Sequence, residues 1–295
     1  MSNALSDVMI REYRESGYCF PYRVLPEAEA QSYRDAIEDY ERTQGEPLAG
    51  KYRYKVHLLF TWARDLIRHP KILDAVEQLI GQNILVWTTN VYLKEPHDGR
   101  YISWHQDKAH WGLDVDDIVT VWVALSPSNL RNGCMQFVAG THLGGVTEHT
   151  DTWESNNILT RGQTIKANID PDTPVAVELK PGEASFHHVK LWHGSDPNQS
   201  NDRRISIAIR YIPTRTRQLY VEKDFATLVR GEDTFGNFEH EPSPEIDMAP
   251  EFLQLHDQTT AAQQRILYHD TDLSLIHISE PTRRYAISYA VFCMK

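Results

Sequence analysis

In the stretch "WHQDKAHWGLD", Trp104 to Asp114, a histidine and an aspartate, His105 and Asp107, stand two positions apart among aromatics. An imidazole and a carboxylate are two of the three ligands of the 2-His-1-carboxylate set that leaves coordination positions open on Fe(II). In extended backbone, residues i and i+2 project from the same side. His105 and Asp107 then face one point, and Gln106 turns away. The pair alone is weak, because His-x-Asp also arises by chance, so a second histidine has to come from elsewhere in the chain.

The segment "FHHVKLWHGSDPNQSNDRRISIAIRYIP", Phe186 to Pro213, offers one. His193 opens a His-Gly-Ser turn, and a strand follows the polar residues after it. On that strand Arg204, Ser206 and Ala208 share one face and Ile205, Ile207 and Ile209 the other. The isoleucines are placed to pack on a helical layer, which directs Arg204 and Ser206 into the interior. A buried arginine requires an anion, and its planar fork suits a carboxylate. His105, Asp107 and His193 are therefore the candidate metal ligands and catalytic centre, and Arg204 with Ser206 the candidate carboxylate pocket.

Helices come first among the elements that must position these residues. Ser6 to Ser16, Pro26 to Thr43 and Lys71 to Ile80 have helical spacing, with Pro26 and the acidic Glu27 and Glu29 suited to a first turn. Then come β-branched and aromatic runs, "NILVWTTNVYL", "DIVTVWVALS", "TPVAVELKPGEASFHH" and "RRISIAIRYIP", separated by Gly, Pro and Asn clusters. Without regular β-α alternation, this predicts a mainly β fold with flanking helices around an antiparallel sheet or barrel. Two long loops, His142 to Asp172 and the region beyond Pro213, are candidate lids. Residues 1–272 are expected to form a single domain. The stretch "LSLIHISEPTRR" and the rest of Leu273 to Lys295 read as a translated sequencing adapter; they are set aside, and the natural C-terminus is expected to be missing.

The 295 residues carry a net charge of -11, which argues against a nucleic-acid or acidic-membrane partner. Cys19, Cys134 and Cys293 are too scattered for a disulfide framework, and Cys134 reads as a packing residue. No apolar run approaches a membrane span. The expectation is a cytoplasmic protein acting on a small molecule, with its oligomeric state open.

The pieces "WHQD", "VTVWVAL", "NGCMQFVAGTH", "PGEASFHH" and "HGSDPNQSNDRR" stand in one order, with eleven residues from His193 to Arg204. Together with "REYRESGYCFPYRVL" near the start, they make residues 9–213 resemble the phytanoyl-CoA dioxygenase family of Fe(II)/2-oxoglutarate-dependent oxygenases. The resemblance implies a double-stranded β-helix, a cupin-like jelly-roll barrel. It also implies Fe(2+), 2-oxoglutarate and O2, with ascorbate as a supporting reductant. In it His105, Asp107 and His193 match the iron ligands, Arg204 the arginine on the distal 2-oxoglutarate carboxylate with Ser206 assisting, and Trp122 an aromatic that packs on the co-substrate. Tyr92 and Asn90 share a strand face that could reach the same molecule. Lys55, in "YKVHLLF", matches a family lysine near it.

The implied reaction is hydroxylation of an unactivated C–H in a small polar metabolite or natural-product intermediate, with release of succinate and CO2. Desaturation, ring closure and epimerisation share its oxidising step. Halogenation would need the position that Asp107 fills. The alternatives are a non-catalytic barrel that binds a small carboxylate or metal, against which Arg204 beside a complete ligand set counts, and a cupin-type metalloenzyme without 2-oxoglutarate, which has no reason to keep Arg204. His187 and His188 read as structural or as supports behind the metal ligands, and Arg203 as a solvated or lid charge. His110 and Trp111 line the pocket or cover its mouth, and Arg210 meets an anionic substrate or a surface ion pair.

Overall fold

The computed structural model describes residues 4–271. The stretch Leu273 to Lys295, read above as adapter, lies outside the described residues. The chain opens with α1 (Asp7–Ser16), where the Ser6 hydroxyl caps the Met9 amide and left-handed Gly17 ends the helix. β1 (Tyr18–Arg23), α2 (Glu27–Gln44), α3 (Thr61–Leu66) and α4 (Pro70–Ile80) follow. Then come β2 (Ile84–Lys94), β3 (Ile102–His105), the single turn α5 (Lys108–Trp111) and β4 (Val119–Ala124). β5 (Gln136–Val138), β6 (His149–Asp151), β7 (Gln163–Ile165) and β8 (Val175–Ala176) are short. The chain continues through β9 (Glu183–His188), β10 (Trp192–Ser195), β11 (Arg204–Pro213), β12 (Phe225–Arg230) and β13 (Glu239–His240) to α6 (Pro250–Leu267).

A seven-stranded sheet runs in the order β1-β9-β4-β11-β2-β12-β13, and a second sheet in the order β3-β10-β5-β8. The two form the jelly roll expected from the sequence. The helices predicted at the N-terminal end form within a residue or two of their predicted bounds. The region beyond Pro213, read as a loop, instead supplies β12 on the far side of β2 and the helix α6.

All ten residues of β11 are buried, so both of its faces are covered. The register shows by what. Ile205, Ile207 and Ile209 stand opposite Leu93, Val91 and Thr89 of β2, and with Ile72, Leu73 and Val76 of α4 they belong to one apolar cluster. The alternate residues form the concave face: Tyr92–Ser206–Ala124, Asn90–Ala208–Trp122 and Thr88–Arg210–Thr120 are rungs of the ladder. Beyond Arg210 the β2–β11 register shifts, with Trp87 as the extra residue. The bulge lets the β2 side chains change sides there, so Trp87 joins Trp111 in a second apolar cluster.

Several histidines are packed into this frame as neutral rings. His188 lies against Tyr13 and His142, and His110 against His149 at 5.4 Å between ring centroids. Burial, reinforced for His188 by His142 and for His110 by His149, pulls the pKa of each of these two down to about 4, and burial does the same to His149. In the unfolded chain these rings protonate near 6.5. Between pH 6.5 and about 4 the unfolded state thus binds more protons, and stability falls as pH falls through that window. The urea midpoint of the metal-free protein is expected to drop steadily from pH 6.5 to 4.5; a flat profile would contradict this packing. Removing apolar mass from the helix–sheet layer should act independently of pH. Ile207→Ala is expected to cost about 2–5 kcal/mol in denaturant unfolding.

Candidate metal centre and co-substrate pocket

His105 is the last residue of β3 and His193 the second of β10. They are direct partners in the antiparallel ladder between the two strands, with ring centroids 4.1 Å apart. His193 therefore sits in a strand and not in the turn expected from His-Gly-Ser; four residues suffice for β10 because it is paired on both sides, by β3 and β5. Asp107 also reaches the site differently from the expectation. Its backbone is already helical, φ -56° and ψ -41°, at the head of α5. The chain turns after His105, and the turn, not strand alternation, swings the carboxylate beside the imidazoles. Gln106 points away as expected and fixes that turn. It is fully buried, donates to the Lys190 carbonyl at 2.7 Å and accepts from the Thr147 amide at 2.7 Å.

One ligand atom from each of His105, Asp107 and His193 lies within 4.8 Å of the others. Each imidazole Nδ1 is 2.9 Å from the carbonyl oxygen two residues earlier, Ser103 for His105 and Leu191 for His193. A carbonyl only accepts, so these nitrogens carry the proton and donate. Nε2 of each ring is left as a lone pair, 3.4 Å and 3.9 Å from Asp107 Oδ1. The other carboxylate oxygen, Oδ2, is buried without a partner. Three buried acceptors turned on one another require a cation, and two imidazoles with one carboxylate are ligands of a first-row divalent metal. Burial opposes the Asp107 charge, but the adjacent His105 and His193 and the Arg210 guanidinium outweigh it and hold the pKa below the usual carboxylate range. Burial, then the neighbouring His105, lowers His193 to about 4.

The concave face of the large sheet supplies the second half. Arg204 stands across the ladder from Lys94 and is 1% exposed. Its Nη1 donates to the Gly133 carbonyl at 2.6 Å, and its guanidinium lies 5.4 Å from the Trp122 ring. Burial draws its pKa down to about 10, which leaves it charged at neutral pH. Lys94 Nζ donates to the Ser195 hydroxyl at 2.6 Å, the Asp196 carbonyl at 2.5 Å and the Gly133 carbonyl at 3.3 Å. Burial and the adjacent Arg204 push the lysine down to about 6. Gly133 has φ +69°, and a Cβ there would strike the Asp196 carbonyl, so this contact to Arg204 needs glycine. Arg204, Trp122 and Tyr92 line one cavity with His105, Asp107 and His193.

Two other predicted co-substrate residues are placed differently. Ser206 is on the Arg204 face but does not line the cavity; its hydroxyl lies 3.5 Å from the Tyr92 carbonyl. Lys55 is not brought to the cavity at all. Its amine is fully buried 2.6 Å from Glu241 and donates to the Phe225 carbonyl at 2.9 Å, while His57 approaches Glu241 at 3.1 Å. Burial disfavours the Glu241 charge, but Lys55 and His57 overcome it and hold Glu241 at about 2. This charged cluster is satisfied internally and ties the N-terminal segment to the strands after β11.

An outer cavity shares His105, Asp107, Tyr92 and Arg210 with the inner one. Asn90, His110 and Trp111 line it, which places the last two in the pocket wall and Asn90 beside the outer ligand space. His187, read as structural or as a support behind the ligands, stands on the inner wall 5.0 Å from the His193 ring, whereas His188 packs outside. Arg203 is not a solvated charge but an ion-pair centre, 2.5 Å from both Glu41 and Glu95. Sequence reasoning missed Met135, Leu159, Gln263 and Leu267 as cavity residues. None has a local chemical signal; the long 142–172 loop marked the region that holds Leu159, and the stretch beyond Pro213 the one that holds Gln263 and Leu267.

The Phytanoyl-CoA dioxygenase (PhyH) profile matches residues 13–206. A probable alpha-ketoglutarate-dependent hypophosphite dioxygenase of Stutzerimonas stutzeri is 32% identical over 157 residues, 52% of this chain and 54% of that protein, so the match spans about half of the relative's length. The peroxisomal phytanoyl-CoA dioxygenase of Bos taurus is 26% identical over 262 residues, 78% of this chain and 77% of that one. Among solved structures, the non-heme monooxygenase ThoJ in its apo form superposes with a TM-score of 0.79 at 34% identity, covering 90% of this chain and 100% of its own. With the profile over most of the catalytic frame, the chain belongs to the phytanoyl-CoA dioxygenase (PhyH) family of Fe(II)- and 2-oxoglutarate-dependent oxygenases.

Proposed function

We propose that residues 1–272 form one catalytic unit that hydroxylates an unactivated C–H bond of a small polar metabolite or natural-product intermediate, with release of succinate and CO2. The observation that carries this reading is the convergence of three buried acceptor atoms beside a buried guanidinium that no carboxylate among the described residues neutralises. Names of relatives support a dioxygenase, and they span substrates from hypophosphite to phytanoyl-CoA.

His105, Asp107 and His193 would hold Fe(II) on one face, and Arg204 the far carboxylate of 2-oxoglutarate. When bound, the two supply the oxidising chemistry, in which O2 is consumed, the oxo-acid loses CO2 and one oxygen enters the substrate. The chain's own contribution is position. The backbone hydrogen bonds at Nδ1 fix both rings with Nε2 presented, and Gly133 and Trp122 fix the Arg204 fork from two sides. His110, Trp111 and Leu159 wall the outer cavity and limit access of water to the reacting carbon.

Anaerobic titration with Fe(II) and 2-oxoglutarate, followed by a succinate-release screen, tests the whole reading. Asp107→Ala is expected to lose metal binding and turnover together; hydroxylation at the normal rate in that variant would falsify the ligand assignment. Arg204→Gln is expected to leave metal affinity intact and to weaken 2-oxoglutarate roughly 30-fold or more, the consequence of losing about 2–5 kcal/mol from a buried charge pair. An unchanged 2-oxoglutarate affinity would move the co-substrate elsewhere.

A further inference from the structure

Three arginines are buried among the described residues, Arg161, Arg204 and Arg210, at 4%, 1% and 6% exposure. Arg161 is paired with Asp151 and Asp270. Arg204 has the oxo-acid as its anion under the reading above. Arg210 has no carboxylate within ion-pair distance among the described residues. It is held by neutral groups: Nη1 donates to Asn90 Oδ1 at 2.8 Å, Nη2 to the Tyr92 hydroxyl at 3.0 Å, and Nε is buried without a partner. Trp111 and Tyr92 flank its guanidinium at 5.5 Å and 5.8 Å from the ring centroids.

Charge counting separates Arg210 from the rest of the centre. A divalent ion, a doubly charged oxo-acid, Asp107 and Arg204 balance to zero. Arg210 is then a surplus positive charge in a buried site, and the neighbouring Lys94, held by the Ser195 hydroxyl and two backbone carbonyls, brings no anion to offset it. Such a charge is costly unless a ligand compensates it. Its position says which ligand. Arg210 borders both cavities, but Asn90, which holds its fork, lines only the outer one. The outer cavity also presents Arg53, and its sole acidic residue among those described is the metal ligand Asp107. In a chain of net charge -11, that lining is strongly biased toward anions.

We infer that Arg210 binds the substrate, not the co-substrate, through an oxyanion of the carboxylate or phosphonate type, so that the enzyme selects small anions and presents a C–H near that group to the metal. The inference rests on the oxygenase reading of the site. Trp111 and Tyr92 would cover the anion's apolar side, and Asn90 and Tyr92 would keep the guanidinium fork from rotating away.

The test uses the full chain loaded with Ni(II) and 2-oxoglutarate, titrated calorimetrically with short carboxylic acids, amino acids and alkylphosphonates, each beside its amide or ester. The same panel is run for succinate release with Fe(II) in air. Acids are expected to bind, and to stimulate succinate release, at least about 100-fold better than their neutral counterparts. Arg210→Met should erase that preference and change 2-oxoglutarate affinity by less than about threefold, while Arg210→Lys should recover part of the preference. Thermal unfolding of both variants checks that they fold, and the lysine variant keeps the test valid if the methionine one does not. Equal binding of neutral and acidic partners, no binding by any acid, or loss of 2-oxoglutarate affinity in Arg210→Met as large as in Arg204→Gln overturns the inference. Because the calorimetric preference needs no turnover, absent succinate in the wild type counts against the oxygenase reading alone.

Discussion

Everything at the centre depends on one pairing, His193 of β10 opposite His105 of β3. Adjacent antiparallel strands bring directly opposed side chains together on the same face, so a ladder contact between residues 88 positions apart does the work that a sequence-local motif cannot. The arrangement is unforgiving. A one-residue slip between the strands would send one imidazole to the other side of the sheet. β10 is secured against that slip by β5 on its other edge, where His193 faces Phe137. Once the register is set, the carbonyls of Ser103 and Leu191 fix each ring's tautomer, and buried Gln106 fixes the turn that delivers Asp107. Rigid backbone thus determines the ligand geometry before any ion arrives.

The large sheet faces this anionic and neutral ligand set with cations. Arg204, Lys94 and Arg210 are all buried on or beside its concave face, and burying charge without a partner is unfavourable. The fold limits the cost in two ways. Lys94 is pushed toward the neutral amine, which removes most of its repulsion with Arg204. Trp122 and Gly133 solvate the Arg204 guanidinium with a ring face and a carbonyl. What is left uncompensated is stabilisation available to ligands, since anything that binds only the folded state adds to its stability. The Lys55–Glu241–His57 cluster is the contrast: its charges are matched inside the chain, and no ligand is needed there.

The parts of this arrangement legible in the sequence are those written in local periodicity or residue chemistry. The alternation Arg204-Ile205-Ser206-Ile207 on β11 placed the two faces correctly, because a strand buried on both sides still separates apolar from charged residues by parity. The ligand types were legible for a similar reason: few uses of a buried His, Asp and Arg satisfy all three. What escaped was set by contacts distant in sequence. Lys55 carries no mark of Glu241, its partner 186 positions on. His-Gly-Ser has the composition of a turn, and only pairing with β3 and β5 makes it a strand. Asp107 obeyed the rule for extended backbone on paper, but β3 ends at His105 and the rule ends with it.

The same division separates a ligand frame set by strand pairing from a cavity wall set by other elements. The metal ligands and Arg204 sit on, or immediately after, strands whose positions the ladders dictate. The outer cavity is instead completed by Leu159 from the connection between β6 and β7 and by Gln263 and Leu267 of α6, elements outside both main sheets. A substitution on the strands disturbs the register or leaves a buried charge unpaired. A substitution in the connection or at the cavity-lining residues of α6 alters cavity shape without touching either. Arg210 lies at the boundary: its backbone is strand, held opposite Thr88 and Thr120, but its guanidinium reaches the space those other elements enclose. That makes it the point at which the strand-held ligand frame meets the wall those other elements build.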